Sequence, residues 1–94
     1  MNAQELVDVF IPAVDKFGGF PSPVKFVIEG DRIIHIHEKN VVAEDKDADC
    51  TIKMSLETMQ QIIAGETDPM SAVMEGDVEV EGDSSIAVSV QGLF

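Results

Sequence analysis

The stretch from Thr67 to Asp83, TDPMSAVMEGDVEVEGD, combines a short helix and a strand with the residues that start and stop them. Asp68-Pro69 favours a helix start, because aspartate can cap backbone N–H groups and proline fits the first helical position. Gly76-Asp77 turns the chain into a segment whose valines alternate with glutamates, the pattern of a strand with one buried face. Gly82-Asp83 ends this strand and can cap the next element. The stretch therefore predicts a short helix, a strand and the start of another element.

An amphipathic helix is predicted over residues 2–17. Asn2 can cap it, and Glu5 stands three residues later, as in a capping box. Pro12 removes a backbone N–H, so we expect a kink or a restart there. The segment GGFPSP, residues 18–23, is predicted to be a loop. Apolar residues recur at helical spacing on one stripe: Leu6, Phe10, Val14 and Phe17.

Short strands are predicted in the middle of the chain, over residues 24–29, 32–38, 41–45 and 50–54. Turns at Gly30-Asp31 and Lys39-Asn40 would join the first three as hairpins, so we expect an at least partly antiparallel sheet. The apolar period then changes from two to about 3.6 residues. Ser55 can cap a helix there, and Gly65 would end it.

The last segment has two possible interpretations. Ile86 and Val90, with Leu93 and Phe94, recur at the spacing of a helix. Val88 also alternates with Ile86 and Val90, which is the spacing of a strand. We favour the helix, because Asp83 can cap it.

The charge of the chain excludes several classes of function. The net charge is −12 and only six residues are Lys or Arg, whereas phosphate binding needs clustered positive charge, so nucleic acid is not an expected partner. The same charge disfavours anionic membrane surfaces. The N-terminus lacks the features of a secretory signal, and no apolar run approaches the roughly 18 residues of a membrane span. We therefore expect a cytoplasmic location and no stable membrane insertion.

Candidate catalytic and metal-binding residues do not form complete sites. His35 and His37 share one face of a predicted strand, but a zinc site needs a further ligand, so we interpret both as solvated side chains. Residues 45–49 space three aspartates as in a calcium loop, yet Cys50 and Leu56 occupy the positions that need Gly and an acid. Cys50 itself lies on the apolar side of a strand, which favours an inert core thiol over a nucleophile. We expect no catalytic residue, metal or cofactor.

Four methionines cluster within residues 54–74, in a predicted strand and the two helices that follow it. Methionine commonly fills gaps in an ordinary core. It also lines adaptable apolar sites, because its flexible thioether chain packs against varied partners. The sequence leaves both interpretations open for Met54, Met59, Met70 and Met74.

The run from Ala48 to Phe94 resembles the sterol carrier protein 2 (SCP2) sterol-transfer family, in the form of its small prokaryotic-type members. The shared features are an Ala-Asp strand entry, a capped helix ending in Gly65, an Asp-Pro pair, a strand followed by Gly82-Asp83, and a closing apolar helix. The resemblance implies a single α+β domain over residues 1–94. It implies a five-stranded, largely antiparallel sheet with helices packed on one face.

The resemblance also implies a non-catalytic lipid carrier with an apolar tunnel between sheet and helices. The expected ligand is a sterol, a fatty acid, a fatty acyl-CoA or another lipid. The alternative is a structural or interaction module with a collapsed pocket, acting as an accessory subunit or a homodimer. The residues predicted to contact the ligand are Phe10, Phe17, Met59, Ile63, Met70, Met74, Leu93 and Phe94.

Overall fold

The computed structural model describes residues 2–93, and these form five strands and four α-helices. Within that range, none of the helices is long and apolar enough to cross a membrane. In chain order the elements are α1 (Ala3–Phe17), β1 (Phe20–Ile28), β2 (Arg32–Glu38), β3 (Asn40–Val42), β4 (Cys50–Met54), α2 (Leu56–Ile63), α3 (Pro69–Met74), β5 (Val78–Gly82), α4 (Ser84–Val90) and a final 3₁₀ turn (Gln91–Leu93).

The strands form one mixed sheet in the order β3-β2-β1-β4-β5. The pairs β1–β2, β2–β3 and β4–β5 are antiparallel. β1 and β4 are parallel, with Val24 opposite Cys50 and Ile28 opposite Met54. The helices bury their apolar residues in one core with the inner face of the sheet. The predicted α+β fold, with a five-stranded, largely antiparallel sheet and helices on one face, is therefore confirmed.

The centre of the core joins α1 to the middle strand of the sheet. Side chains alternate along a strand, so Phe26 and Ile28 both point toward the helices, and each is at most 2% exposed. Leu6, Phe10 and Val14 of α1 are fully buried against this face. The Phe10 and Phe26 rings lie 4.9 Å apart in a tilted arrangement. Burial of such aromatic pairs is a large part of what holds a small core together.

The start of α1 follows the predicted capping box. The Asn2 side chain accepts a hydrogen bond from the Glu5 N–H at 2.8 Å, and the Glu5 carboxylate accepts one from the Asn2 N–H at 3.0 Å. The predicted restart at Pro12 is wrong, because the helix runs unbroken from Ala3 to Phe17. Pro12 is exposed. The carbonyl four residues earlier, which lacks the N–H that proline cannot supply, can therefore bind water.

Two strand boundaries differ from the prediction. β1 begins at Phe20, so most of the segment predicted as a loop, residues 18–23, is strand. A bulge between Phe20 and Val24 interrupts the pairing of β1 with β2. A sheet tolerates prolines at such a bulge. The predicted strand over residues 41–45 is shorter, Asn40–Val42, because the chain then leaves the sheet edge. The closing segment is helical, as predicted.

The loop between β3 and β4 crosses the outer face of the sheet, because these two strands lie on opposite sides of the β1–β2 pair. Lys25 Nζ contacts Asp45 Oδ1 at 2.9 Å, and His35 Nε2 lies 3.0 Å from the carbonyl oxygen of Asp47. His35 is only 7% exposed, whereas His37 is exposed. The interpretation of both histidines as solvated is therefore wrong for the first, whose ring this loop covers.

Alanine substitutions at Gly82 and Gly76 form a matched pair that tests how closely β5 approaches β4. Both have a positive φ, +93° and +84°. A Cβ on Gly82 would overlap the carbonyl oxygen of Asp49, whereas a Cβ on Gly76 would meet no heavy atom within 4 Å. We predict that Gly76→Ala lowers the free energy of unfolding by about 1–2 kcal/mol, the cost of a left-handed backbone for an L-residue. Gly82→Ala should lower it by about 1–3 kcal/mol more, from overpacking.

Urea unfolding followed by circular dichroism measures both losses. Wild-type protein and the Gly76→Ala variant serve as references for the backbone cost alone. Equal losses for the two variants would contradict the close approach of Gly82 to β4.

Cys50 provides a second test of the core, because it carries a buried thiol with a raised pKa. The residue is 1% exposed. Burial raises the pKa of its thiol, and the negative charge of Asp83 raises that pKa further. The unfolded thiol, with a pKa of about 8.5, therefore loses its proton first as the pH rises. We predict that the stability contributed by the neutral thiol is complete below about pH 8.5 and is lost above it.

The measurement is the difference in unfolding free energy between wild type and Cys50→Ala, followed from neutral to alkaline pH. That difference should shrink as the pH rises. In parallel, Ellman's reagent should react with the native thiol at least about a hundredfold more slowly than with the urea-unfolded thiol. A pH-independent difference, or equal reaction rates, would be inconsistent with a buried thiol.

Candidate functional site

An apolar cavity of about 270 Å³ lies between the β4-β5 half of the sheet and helices α2, α3 and α4. All of its lining residues are apolar except Ser84 and Gln91. Such a lining can hold a hydrophobic guest by removing its surface from water. The lining consists of Phe26, Ile52, Met54, Met59, Ile62, Pro69, Met70, Val73, Val78, Val80, Ser84, Ala87, Val88, Val90 and Gln91.

The sheet side of the cavity is built from two rows of inner-face residues. The register places Phe26 opposite Ile52, and Ile52 opposite Val80, which makes one row across β1, β4 and β5. Met54 lies opposite Val78 in the next row. Residues two apart on a strand share a face, so all five point toward the helices. This side of the cavity therefore follows directly from strand register.

Helix α4 supplies one wall through a single face. Asp83 caps this helix by accepting a hydrogen bond from the Ser85 N–H at 2.9 Å. The Ser85 hydroxyl also donates to that carboxylate, and these bonds lower the pKa of Asp83. Five residues of the helix and its following turn line the cavity, most of them three or four positions apart: Ser84, Ala87, Val88, Val90 and Gln91.

Helices α2 and α3 close the remaining sides. Ser55 Oγ caps α2 by accepting from the Thr58 N–H at 3.1 Å. Asp68 caps α3 by accepting from the Met70 N–H at 3.0 Å, and Pro69 occupies the first helical position. These are the caps that the sequence predicts. They bring to the cavity Met59 and Ile62 of α2 and Pro69, Met70 and Val73 of α3.

The cavity opens to solvent between α3 and α4. Met70 and Val73 of α3 are 42% and 38% exposed, and Val88 of α4 is 62% exposed, although all three line the cavity. Gln91 Nε2 donates to the Met70 thioether at 3.5 Å and links the ends of the two helices. Met70, Val73 and Val88 therefore give the opening an apolar rim along which a ligand can enter.

The cavity lining among residues 2–93 includes no His, Cys, Asp, Glu, Lys or Arg side chain. None of the lining residues there is titratable. His35 and His37 lie on the outer face of the sheet, away from the cavity. No three His, Cys, Asp or Glu side chains of the described chain come together as metal ligands. The arrangement suits binding of an apolar molecule.

The structure places the predicted contact residues in several different environments. Met59 and Met70 line the cavity. Phe10 and Leu93 are buried in the core outside the cavity lining, and Ile63 is half-buried against that core. Two more do not line the cavity: Met74 is 80% exposed, and Phe17 lines a second depression. The predicted contact at Phe94 lies outside the described residues.

The second depression, of about 280 Å³, lies beside the start of β1 and the outer side of α4. It is more open and more polar than the apolar cavity, since serines and Asp83 contribute to it. The Phe17 and Phe20 rings stack there, with their centroids 4.9 Å apart. We assign no ligand to this depression.

Several lining residues were absent from the prediction although the sequence carried their signal. Val78 and Val80 follow from the alternation in β5, and Ile52 follows from the same pattern in β4. Ala87 and Gln91 follow from helical spacing after the Asp83 cap. Prediction favoured large apolar side chains, whereas a wall beside a cavity also uses small and polar ones.

Comparison with known proteins identifies the family. The model of the SCP-2 sterol transfer family matches residues 13–94. Sterol carrier protein 2 of Rattus norvegicus is 35% identical over 49 residues, which is 52% of this chain and 9% of that protein's length. The chain thus spans only a small part of this relative.

Two solved structures of the same mosquito domain share the fold. Crystalline sterol carrier protein 2-like 2 of Aedes aegypti has a TM-score of 0.76 at 21% identity, covering 98% of this chain and 93% of that one. The palmitated form in solution has a TM-score of 0.70 at 21% identity, covering 95% and 87%. With the family model matching most of its length, the chain belongs to the SCP-2 sterol transfer family.

Proposed function

We propose that this chain is a non-catalytic lipid-binding domain that encloses the apolar part of a lipid in the cavity between β4-β5 and α2–α4. The observation that carries the proposal is the cavity lining, which is apolar except for Ser84 and Gln91. Membership in the SCP-2 sterol transfer family supports it, as does the related mosquito domain solved in palmitated form. Sterols, fatty acids and fatty acyl-CoA are the ligand classes to test.

The volume of the cavity limits how much of a lipid it can enclose. About 270 Å³ lies just under the roughly 300–1,000 Å³ of typical small-molecule sites. A sterol or a long acyl chain would be enclosed in part and would extend through the opening at Met70, Val73 and Val88. Burial of about six methylenes, at about 0.8 kcal/mol each, would contribute about 5 kcal/mol before entropic costs.

The energetic cost of an empty cavity also supports occupancy. A dry cavity of this size would cost about 6 kcal/mol at roughly 24 cal/mol per Å³, against a total stability of about 5–15 kcal/mol for a domain. Because the cavity opens between α3 and α4, a ligand or water can enter and reduce that cost.

The alternative is an interaction module with a collapsed pocket. Collapse would bring the side chains of α3 and α4 onto Ile52 and Val80, but these residues line open space. The open cavity therefore favours a ligand over a collapsed docking module. A concentration-dependent dimer that excludes every lipid would reverse this preference.

The first test of the proposal is thermal unfolding with a panel of lipids. The panel holds a sterol, a fatty acid, a monoacylglycerol and a fatty acyl-CoA, each below its critical micelle concentration. A ligand present at a hundredfold its Kd stabilises the folded state by about 2.7 kcal/mol. We expect at least one lipid to raise Tm by about 10 °C or more, measured by circular dichroism. No shift with any lipid, together with no bound lipid in native mass spectra, would refute the proposal.

A cavity-filling variant locates the binding site. Ala87 is half-buried in the lining, so Ala87→Phe should fill the cavity and reduce the lipid-dependent Tm shift to below a third of the wild-type value. Ala43→Phe is the matched control, because Ala43 is exposed in the outer-face loop and adds the same bulk elsewhere. If Ala87→Phe kept the full shift, the lipid would have to bind outside this cavity.

A further inference from the structure

Electric charge is distributed very unevenly around the apolar cavity. Residues 54–94 contain eight Asp or Glu and no Lys, Arg or His. These residues supply the whole lining except Phe26 and Ile52. The nearest basic residue in the sequence, Lys53, points to the opposite face of the sheet and pairs with Glu81 at 3.2 Å. The site is therefore built from the part of the chain without positive charge.

At two helix starts beside the cavity, a carboxylate of this chain already accepts a hydrogen bond from a backbone N–H group. The N-termini of α3 and α4 both begin beside the cavity, at Pro69 and Ser84. Asp68 accepts from the Met70 N–H at 3.0 Å, and Asp83 accepts from the Ser85 N–H at 2.9 Å. Each helix start thus carries a negative charge directly before a lining residue, Asp68 before Pro69 and Asp83 before Ser84, although Asp83 itself contributes to the second depression. Hydrogen bonds from Ser85 lower the pKa of Asp83, which keeps its negative charge at neutral pH.

The polar end of a partly enclosed lipid would lie at the opening beside Val88, which is one helical turn from Ser84 in one direction and from Gln91 in the other. Ser84 is exposed, and its hydroxyl can donate or accept. Gln91 donates to the Met70 thioether, which is a weak acceptor. An ester or hydroxyl oxygen would be a better acceptor for this amide. The opening therefore offers hydrogen bonds to an uncharged polar group and repulsion to a negative one.

From this arrangement we infer that the cavity selects lipids whose polar end is uncharged and oxygen-bearing, and that it discriminates against fatty-acid carboxylates and fatty acyl-CoA. The inference rests on the proposed function and narrows its ligand class. The mosquito domain in palmitated form shares the fold at 21% identity. Discrimination in this chain would thus come from its own charges and not from the fold.

The experiment compares two ligands with the same twelve-carbon chain, monolauroylglycerol and dodecanoate, at about pH 8 and low salt. Titration calorimetry measures Kd for each, and lauroyl-CoA is a second anionic probe. We expect both anions to bind at least about tenfold more weakly than the neutral ester, a ratio equivalent to about 1.4 kcal/mol. The gap should narrow at about 1 M salt, where the screening length falls to about 3 Å.

A charge-removing variant tests the cause. Asp68→Asn with Asp83→Asn removes two negative charges, and asparagine caps a helix about as well as aspartate. We expect this double variant to reduce the neutral-to-anion affinity ratio at least threefold. The matched control is Asp8→Asn with Asp15→Asn, which removes two charges from α1, a helix outside the cavity lining. Far-UV circular dichroism verifies that each variant is folded.

The outcomes separate the inference from the proposed function. Dodecanoate binding as tightly as the neutral ester would overturn the inference and leave lipid binding intact. An equal change of the ratio in both double variants would also overturn it, because a general charge effect would then suffice. If neither ligand class bound at all, the inference would fall together with the proposed function.

Discussion

Phe26 is the residue on which both halves of the structure depend. On one side its ring contacts Phe10 of α1 at a centroid distance of 4.9 Å, and on the other it lines the apolar cavity. It lies on β1, which pairs with β2 in one direction and with β4 in the other. One half of the inner face, beneath α1, is filled by close packing. The other half, beneath α2–α4, remains partly open, so the filled half has to supply the stability that an open cavity removes.

The parallel pairing of β1 with β4 creates this division. After β3, the chain crosses the outer face of the sheet and re-enters beside β1 in the same direction. The strands and helices that follow, from β4 to α4, are then built on the β4-β5 side, and the final turn also contacts α1. Apart from Phe26 and Ile52, the cavity lining therefore lies within the run of sequence without basic residues, because one continuous segment supplies both. The order of elements along the chain thus places a segment without positive charge around the cavity.

Local signals in the sequence predicted most of the helices and strands, but fewer of the contacts between these elements. The caps at Asn2, Ser55, Asp68 and Asp83 depend on a few adjacent residues, and each forms as expected. The start of β1 at Phe20 was missed, because prolines argue against a strand until a bulge in its partner pairing is known. Burial of His35 was missed for a similar reason, since the loop that covers it comes from a distant part of the chain.

The cavity lining was only partly predictable, because filling a core and facing a cavity require the same apolar residue types. Met59 and Met74 look alike in sequence, yet one is 1% and the other 80% exposed. The difference arises from where α2 and α3 sit on the sheet. Helices α3 and α4 are six and seven residues long, well below the roughly 12 residues that an isolated helix needs. Their positions therefore depend on side-chain contacts across the cavity, and a guest that touched both helices would stabilise the walls that enclose it.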